Sequence, residues 1–175
     1  MKLMSKLVIL AFLVSLSLAA VNMARAAGDK IAYMDLGKVF DEYNKTKDLD
    51  KQLESKSGAK QGERDKLVAE IKKMKDDLDL AKEADRAKKT AAVQEKLNKL
   101  QDFDKESKDS LRKDRDDMAR TILKEIKDTI DDIGKKEGYV YILDSRAVLF
   151  GSDANNLTDR VLKILNDKYA AKGKK

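Results

Sequence analysis

From Leu49 onward the large apolar residues recur every three or four positions: Leu49, Leu53, then Leu67, Ile71, Met74 and Leu78, with Ala81. That spacing places them on one narrow helical stripe of the coiled-coil kind. The stripe lapses over residues 82–92. It resumes at Val93, Leu97, Leu100, Phe103, Leu111, Met118, Ile122, Ile126, Ile130 and Ile133, thickening towards its end. Between Glu63 and Ile133 there is neither Gly nor Pro, so nothing in that run breaks a helix. As a single rod, residues 46–133 would reach about 130 Å. Folded back, two helices of roughly 55–70 Å bury each other's stripes. The pattern favours this helical hairpin, with its turn predicted at Glu83–Lys88. The apolar residues are densest farthest from that point, as two arms converging on a packed base require. One stretch is thin: Glu54–Lys66 holds Gly58 and Gly62 and no apolar residue larger than Ala59. Each Gly costs a helix about 1 kcal/mol relative to Ala. Two readings stand for it, a solvated turn of helix or a built-in flexing point.

The flanks follow a different pattern. Ile31–Asp35 is short, apolar and β-prone, and predicts a strand. After Gly37, Val39, Phe40 and Tyr43 fall at helical spacing from Leu36, and Asn44 or Thr46 is the expected cap of the arm. Gly134 and Gly138 are expected to stop the arm. Tyr139–Leu143 and Ala147–Phe150 are β-prone runs on either side of Asp144–Arg146, and their spacing predicts a β-hairpin. Asn156, with Asp159 three residues on, reads as a helix start, and Val161, Leu162, Leu165 and Tyr169 form one face of that helix. Phe103 is the only aromatic residue between Tyr43 and Tyr139. Aromatic side chains contribute most of the buried area per residue, so residues 27–45 and 134–170 form the body. Residues 46–133 form the arm, and 171–175 a basic tail.

Composition alters this picture at the N-terminus first. Lys2 and Lys6 precede the apolar run Leu7–Val21, and Ala24-Arg25-Ala26 supplies small residues for cleavage. Residues 1–26 therefore read as a signal peptide, which makes this an exported protein with the periplasm as its expected location. Its removal takes away Lys2, Lys6 and Arg25 and no acid, so the formal charge falls from +6 to +3. Acids and bases are mixed along the remainder, unlike the basic face of a nucleic-acid binder. His and Cys are both absent, which removes the commonest metal ligands and the most versatile general base. Gly58–Gly62 has neither the spacing nor the setting of a phosphate-binding loop. No catalytic residue, metal or cofactor is expected, and the chain does not read as an enzyme.

With those pieces in place, four segments carry a resemblance. Ile31–Phe40 (IAYMDLGKVF) resembles the start of the mature OmpH (Skp) family of periplasmic chaperones, and so do Gly138–Asp144, Ala147–Gly151 and Asn156–Val161. The similarity covers Ile31 to Tyr169. The resemblance implies a mainly α fold with a small β body, from which a coiled-coil arm projects. It also implies a homotrimer whose short strands pool into a β-barrel, and a cavity between three arms that holds unfolded outer-membrane β-barrel proteins without ATP. The body and trimer core would then rest on Ile31, Tyr33, Val140, Ile142, Val148 and Phe150. Gly58 and Gly62 would let each arm splay. Lys82, Arg86, Lys88 and Lys89, with Lys96 and Lys99, outnumber Glu83, Asp85 and Glu95. The arm tip thus leans positive and suits acidic clients or anionic lipid headgroups, unless it is an ordinary solvated helix. The alternative function is a structural coiled-coil spacer or adaptor of the cell envelope. A lipid-binding helix would need wide apolar faces, whereas these stripes are narrow.

Overall fold

Two strands that pair in parallel need a long crossover, and here the whole arm is that crossover. In a computed structural model the described residues are 29–173, so the predicted signal peptide lies outside them. Strand β1 (Lys30–Met34) leads into the short helix α1 (Leu36–Glu42). Helix α2 (Asn44–Asp79) runs outward, and α3 (Glu83–Glu137) returns to strand β2 (Tyr139–Asp144), which lies parallel to β1 with Ile31 opposite Tyr141 and Tyr33 opposite Leu143. Two 3-10 turns, Ser145–Ala147 and Asp153–Asn155, precede the final helix α4 (Thr158–Lys172).

The hairpin forms, but its turn sits at Leu80–Lys82 rather than at Glu83–Lys88. Those residues instead open α3, with Glu83 and Asp85 in its first turn, where acids favour the positive end of the helix dipole. The two arms are also unequal. Helix α2 has 36 residues and α3 has 55, about 54 and 82 Å, chiefly because the turn falls early in the run; α3 also passes through the predicted stop at Gly134 into the body. Gly138 ends it, in the left-handed conformation at φ 72°, with its N–H donating to the Gly134 carbonyl.

Local capping differs from expectation for a tertiary reason. Asp35 caps α1, its carboxylate accepting from the Lys38 N–H at 2.8 Å. Neither Asn44 nor Thr46 caps α2. Its first N–H, on Asn44, donates instead to the side-chain oxygen of Asn166 in α4, at 2.9 Å. The Thr46 hydroxyl is buried without a partner among the described residues. At α4 the Asn156 side chain accepts from both the N–H and the hydroxyl of Thr158, and the helix starts at Thr158, one residue later than a cap at Asn156 would place it.

The predicted hairpin of Ala147–Phe150 with β2 is absent. Asp144 accepts from the Arg146 N–H and pairs with its guanidinium, folding the chain into a 3-10 turn that diverts it from β2. The outer edge of β2 has no strand beside it among the described residues. The free side of β1 is covered by a bridge to Asn156, with the Leu157 N–H donating to the Tyr33 carbonyl at 2.8 Å.

The core lies where the strands, α1, α4 and the last turns of α3 meet. Met34, Val39, Ile122, Ile126, Val161 and Leu165 are buried there, with Tyr43 beside them. Along the outer arm only Ile71 and Val93 reach burial. Helix α3 thus changes from an arm with a thin stripe to a core element, as the thickening stripe predicted.

Candidate functional site

Side chains on a strand alternate between faces, and the alternation divides the predicted body core. Ala32 and Met34 point into the chain's own core. Ile31 and Tyr33 therefore lie on the other face, and the parallel register adds Tyr141 and Leu143 to it. Ile31, Tyr141 and Leu143 are all exposed, as are Val140 beside the last turns of α3 and, almost fully, Leu149 and Phe150 in the following loop. Of the six residues predicted for the body, Ile31, Val140 and Phe150 thus take no part in the intrachain core; Tyr33, Ile142 and Val148 are half-buried. Tyr141, Leu143 and Leu149 share that exposure without having been singled out in the sequence. The signal for the first two was the alternation, once it is known which residue of β1 faces Tyr141.

The loop carrying Leu149 and Phe150 is held at both ends. On one side stands the Asp144–Arg146 turn. On the other, Gly151 lies so close to the Tyr33 ring that a Cβ there would come within 2.5 Å of it. Two bare apolar side chains are therefore presented between two anchored flanks.

At the base of the arm a polar cluster joins three helices. Glu125 of α3 accepts from the Tyr43 hydroxyl at 2.9 Å and from the Lys45 ammonium at 2.8 Å, with Lys172 of α4 at 3.7 Å. Partial burial pushes the Glu125 carboxyl up, but Lys45, Tyr43 and Lys172 outweigh it and hold the group below its usual value. Burial, and then the neighbouring Glu125, drive the Tyr43 hydroxyl far above an ordinary phenol. Tyr43 also meets the edge of Tyr169, whose hydroxyl donates to Asp48. The cluster ties the base of the arm, through Glu125 of α3, to Lys45 of α2 and Lys172 of α4.

Along the arm, ion pairs substitute for packing. Lys56 pairs with Asp114, Arg64 with Asp104 at 3.0 Å, and Lys96 with Glu70 at 2.6 Å. These pairs are part-exposed, and such pairs contribute about 0–1 kcal/mol each. Gly58 and Gly62 stand inside this section in unbroken helix, with open space where a Cβ would be.

The tip is less positive than one limb of the hairpin implies. Across Lys75–Lys89 five bases meet five acids, since α2 returns Asp76, Asp77 and Asp79 to the neighbourhood of Lys82, Arg86, Lys88 and Lys89. Two of those bases also close the turn: Lys89 donates to the Asp77 carbonyl at 2.8 Å and Arg86 to that of Ala81 at 3.4 Å. Leu80, between the helices, is exposed. Among the described residues no acidic cluster could hold a metal, and no helix is long and apolar enough to cross a membrane.

A small body with an uncovered apolar sheet face, carrying a long charged hairpin inserted between its two parallel strands, defines an arm-and-body class of protein. The model of the OmpH-like outer membrane protein family matches residues 30–165, and the chain belongs to that family. Relatives include the chaperone protein Skp of Photorhabdus laumondii, 29% identical over 152 residues, covering 82% of this chain and 90% of that protein. Skp of Yersinia enterocolitica is 26% identical over 157 residues, covering 85% and 93%. Among solved structures, one described as an OmpH-like outer membrane chaperone of Caulobacter crescentus superposes with a TM-score of 0.74 at 16% identity, over 81% of this chain and 86% of that one. At that identity the match speaks for the fold.

Proposed function

We propose that this chain is an ATP-independent periplasmic holdase: it loses residues 1–26 on export, assembles as a homotrimer, and shelters unfolded outer-membrane β-barrel proteins between its arms. The observation that carries this reading is the placement of apolar surface. Ile31, Tyr141, Leu143, Leu149 and Phe150 are exposed on the body, while the arm presents charge. A two-stranded sheet is marginal alone, and its open edge invites pairing. Copies of the same chain satisfy both, which supports pooled strands in the body. The arms then stand around a shared space whose walls are mostly charged, with small apolar patches. Many weak contacts keep a client mobile and hold its aggregation-prone strands apart, and no nucleotide is needed for release.

The reading is tested by diluting a urea-denatured outer-membrane β-barrel protein into the purified mature chain and weighing the product by light scattering behind a sizing column. A soluble complex of one client with three copies, weakened as salt rises, is expected. A monomer that leaves the client unbound would refute it and favour an envelope spacer.

A further inference from the structure

Part of the way along the arm, hollows lie beside the seam of the two long helices. On one side Leu53 of α2 and Leu111 of α3 line a hollow of about 560 Å³, within the range of binding pockets, about 300–1,000 Å³. It opens where the thin stretch Glu54–Lys66 begins and no large side chain is available to close it. Its walls carry charge. Lys108, Arg112 and Arg115 stand on the α3 side, Asp50 and Glu54 on the α2 side.

With Lys105, the three bases occupy positions i, i+3, i+7 and i+10 of α3, so all four share one face. Neighbouring like charges at these spacings weaken a helix. Elsewhere α3 avoids this by pairing its bases with acids four residues on, as in Lys113–Asp117, Lys124–Asp128 and Lys127–Asp131. Lys105 and Arg112 do have Asp109 and Asp116 four residues on, yet none of the four ladder bases forms an ion pair among the described residues, and the pairs across this part of the hairpin run through Lys56 and Arg64 instead. An unpaired basic ladder thus borders an apolar floor.

We infer that this hollow binds an extended polypeptide segment, seating one aromatic or aliphatic side chain on Leu53 and Leu111 with acidic residues two positions to either side lying along the α3 bases. This rests on the holdase reading and gives it a site. Successive ladder bases rise by about 4.5–6 Å along α3, and same-side residues of an extended chain repeat at about 6.7 Å. Arginine guanidinium groups bind carboxylates in a two-pronged fashion, while Asp50 and Glu54 turn carboxylates away from the α2 wall. A lipid surface does not fit: the hollow lies about 42 Å from the start of α3 at the tip, inside the hairpin.

The chain has no cysteine, so Ser57→Cys, beside the hollow, accepts a single environment-sensitive fluorophore. Three short peptides serve as probes: a phenylalanine flanked two residues away by aspartates, the same with lysines, and the aspartate peptide with serine replacing phenylalanine. The aspartate–phenylalanine peptide should bind about tenfold more tightly than the lysine peptide, as two surface charge contacts allow. The preference should vanish in Arg112→Glu/Arg115→Glu and fall in Lys108→Glu, with helicity by circular dichroism unchanged. A label at Ser152→Cys in the body should stay silent. Equal binding of aspartate and lysine peptides, an equal response at position 152, or a stronger response to phosphatidylglycerol vesicles would each overturn the inference. If the wild type keeps a denatured β-barrel protein soluble yet shows no peptide response, the hollow is wrong and the holdase reading stands. If both fail, both fall.

Discussion

Replacing Gly58 and Gly62 together by Ala isolates the weakest part of the arm. Both lie in continuous α2, and a Cβ at either would meet nothing within 4 Å. The substitutions therefore bring no clash and act through helix propensity alone. Each is worth about 1 kcal/mol, so the pair should stabilise the stretch by about 2 kcal/mol. The flanking ion pairs Lys56–Asp114 and Arg64–Asp104 have side chains about 40% exposed, and pairs of that kind contribute at most about 1 kcal/mol each, too little to hide the gain. Since 1.4 kcal/mol is a factor of ten, amides from Ser55 to Lys66 should exchange with solvent about 25–30 times more slowly. The assay is native-state hydrogen exchange followed by NMR or mass spectrometry, with the Ile122–Ile133 segment as internal reference. If the arm's ability to splay resides here, the range of client sizes held in solution should narrow as well. Unchanged exchange in 55–66, or faster exchange, would refute the reasoning. Slowed exchange with an unchanged client range would leave the helix argument standing and remove the flexing point.

Three further outcomes follow from the body and the base. Ile126→Ala empties a fully buried site in the core and should cost about 2–5 kcal/mol, seen as a lowered urea midpoint. Glu125→Gln loses the ion pair with Lys45 and should destabilise the chain at neutral pH. Because the folded Glu125 carboxyl is held below its usual value, its stabilisation is present above its unfolded pKa, near 4.3, and fades as pH falls through the lower folded value. Stability measured from pH 7 to 2 should show that acid-side loss in the wild type and less of it in the Gln variant. Tyr141→Asp with Leu143→Asp puts charge on the bare sheet face without entering the intrachain core, so sedimentation should show fewer assembled copies and unchanged helicity. An unaltered mass would remove that face from the subunit contact.

How much of this was legible in the sequence depended on the range of the interaction involved. The helices of the arm and the body formed by its two ends rest on local periodicity, so the stripe from Leu49 to Ile133 and the aromatics near the termini revealed them. The turn was misplaced because a lapse in the stripe marks where apolar residues stop, whereas Glu83 and Asp85, the acids that favour a helix start, mark where α3 begins. The cap on α2 comes from Asn166, far along the chain, and no local pattern could show it. The tip looked basic because one limb was read without the other; folding brings Asp76, Asp77 and Asp79 alongside. The second β-run after Asp144 has strand composition but finds no partner within its own chain, so the Asp144–Arg146 turn prevails. The hollow at Leu53 and Leu111 was half visible: the thin stretch Glu54–Lys66 was plain, and the basic ladder facing it required knowing which side of α3 it meets.

The central claim is that this chain keeps an unfolded outer-membrane β-barrel protein from aggregating, and right-angle light scattering tests it most directly. A urea-denatured β-barrel protein is diluted into buffer with increasing amounts of the purified chain lacking residues 1–26, without nucleotide. Scattering should fall to baseline as the chain reaches about three copies per client, and should return when high salt is added. Scattering that stays at the level of client alone, at every ratio, would contradict the account.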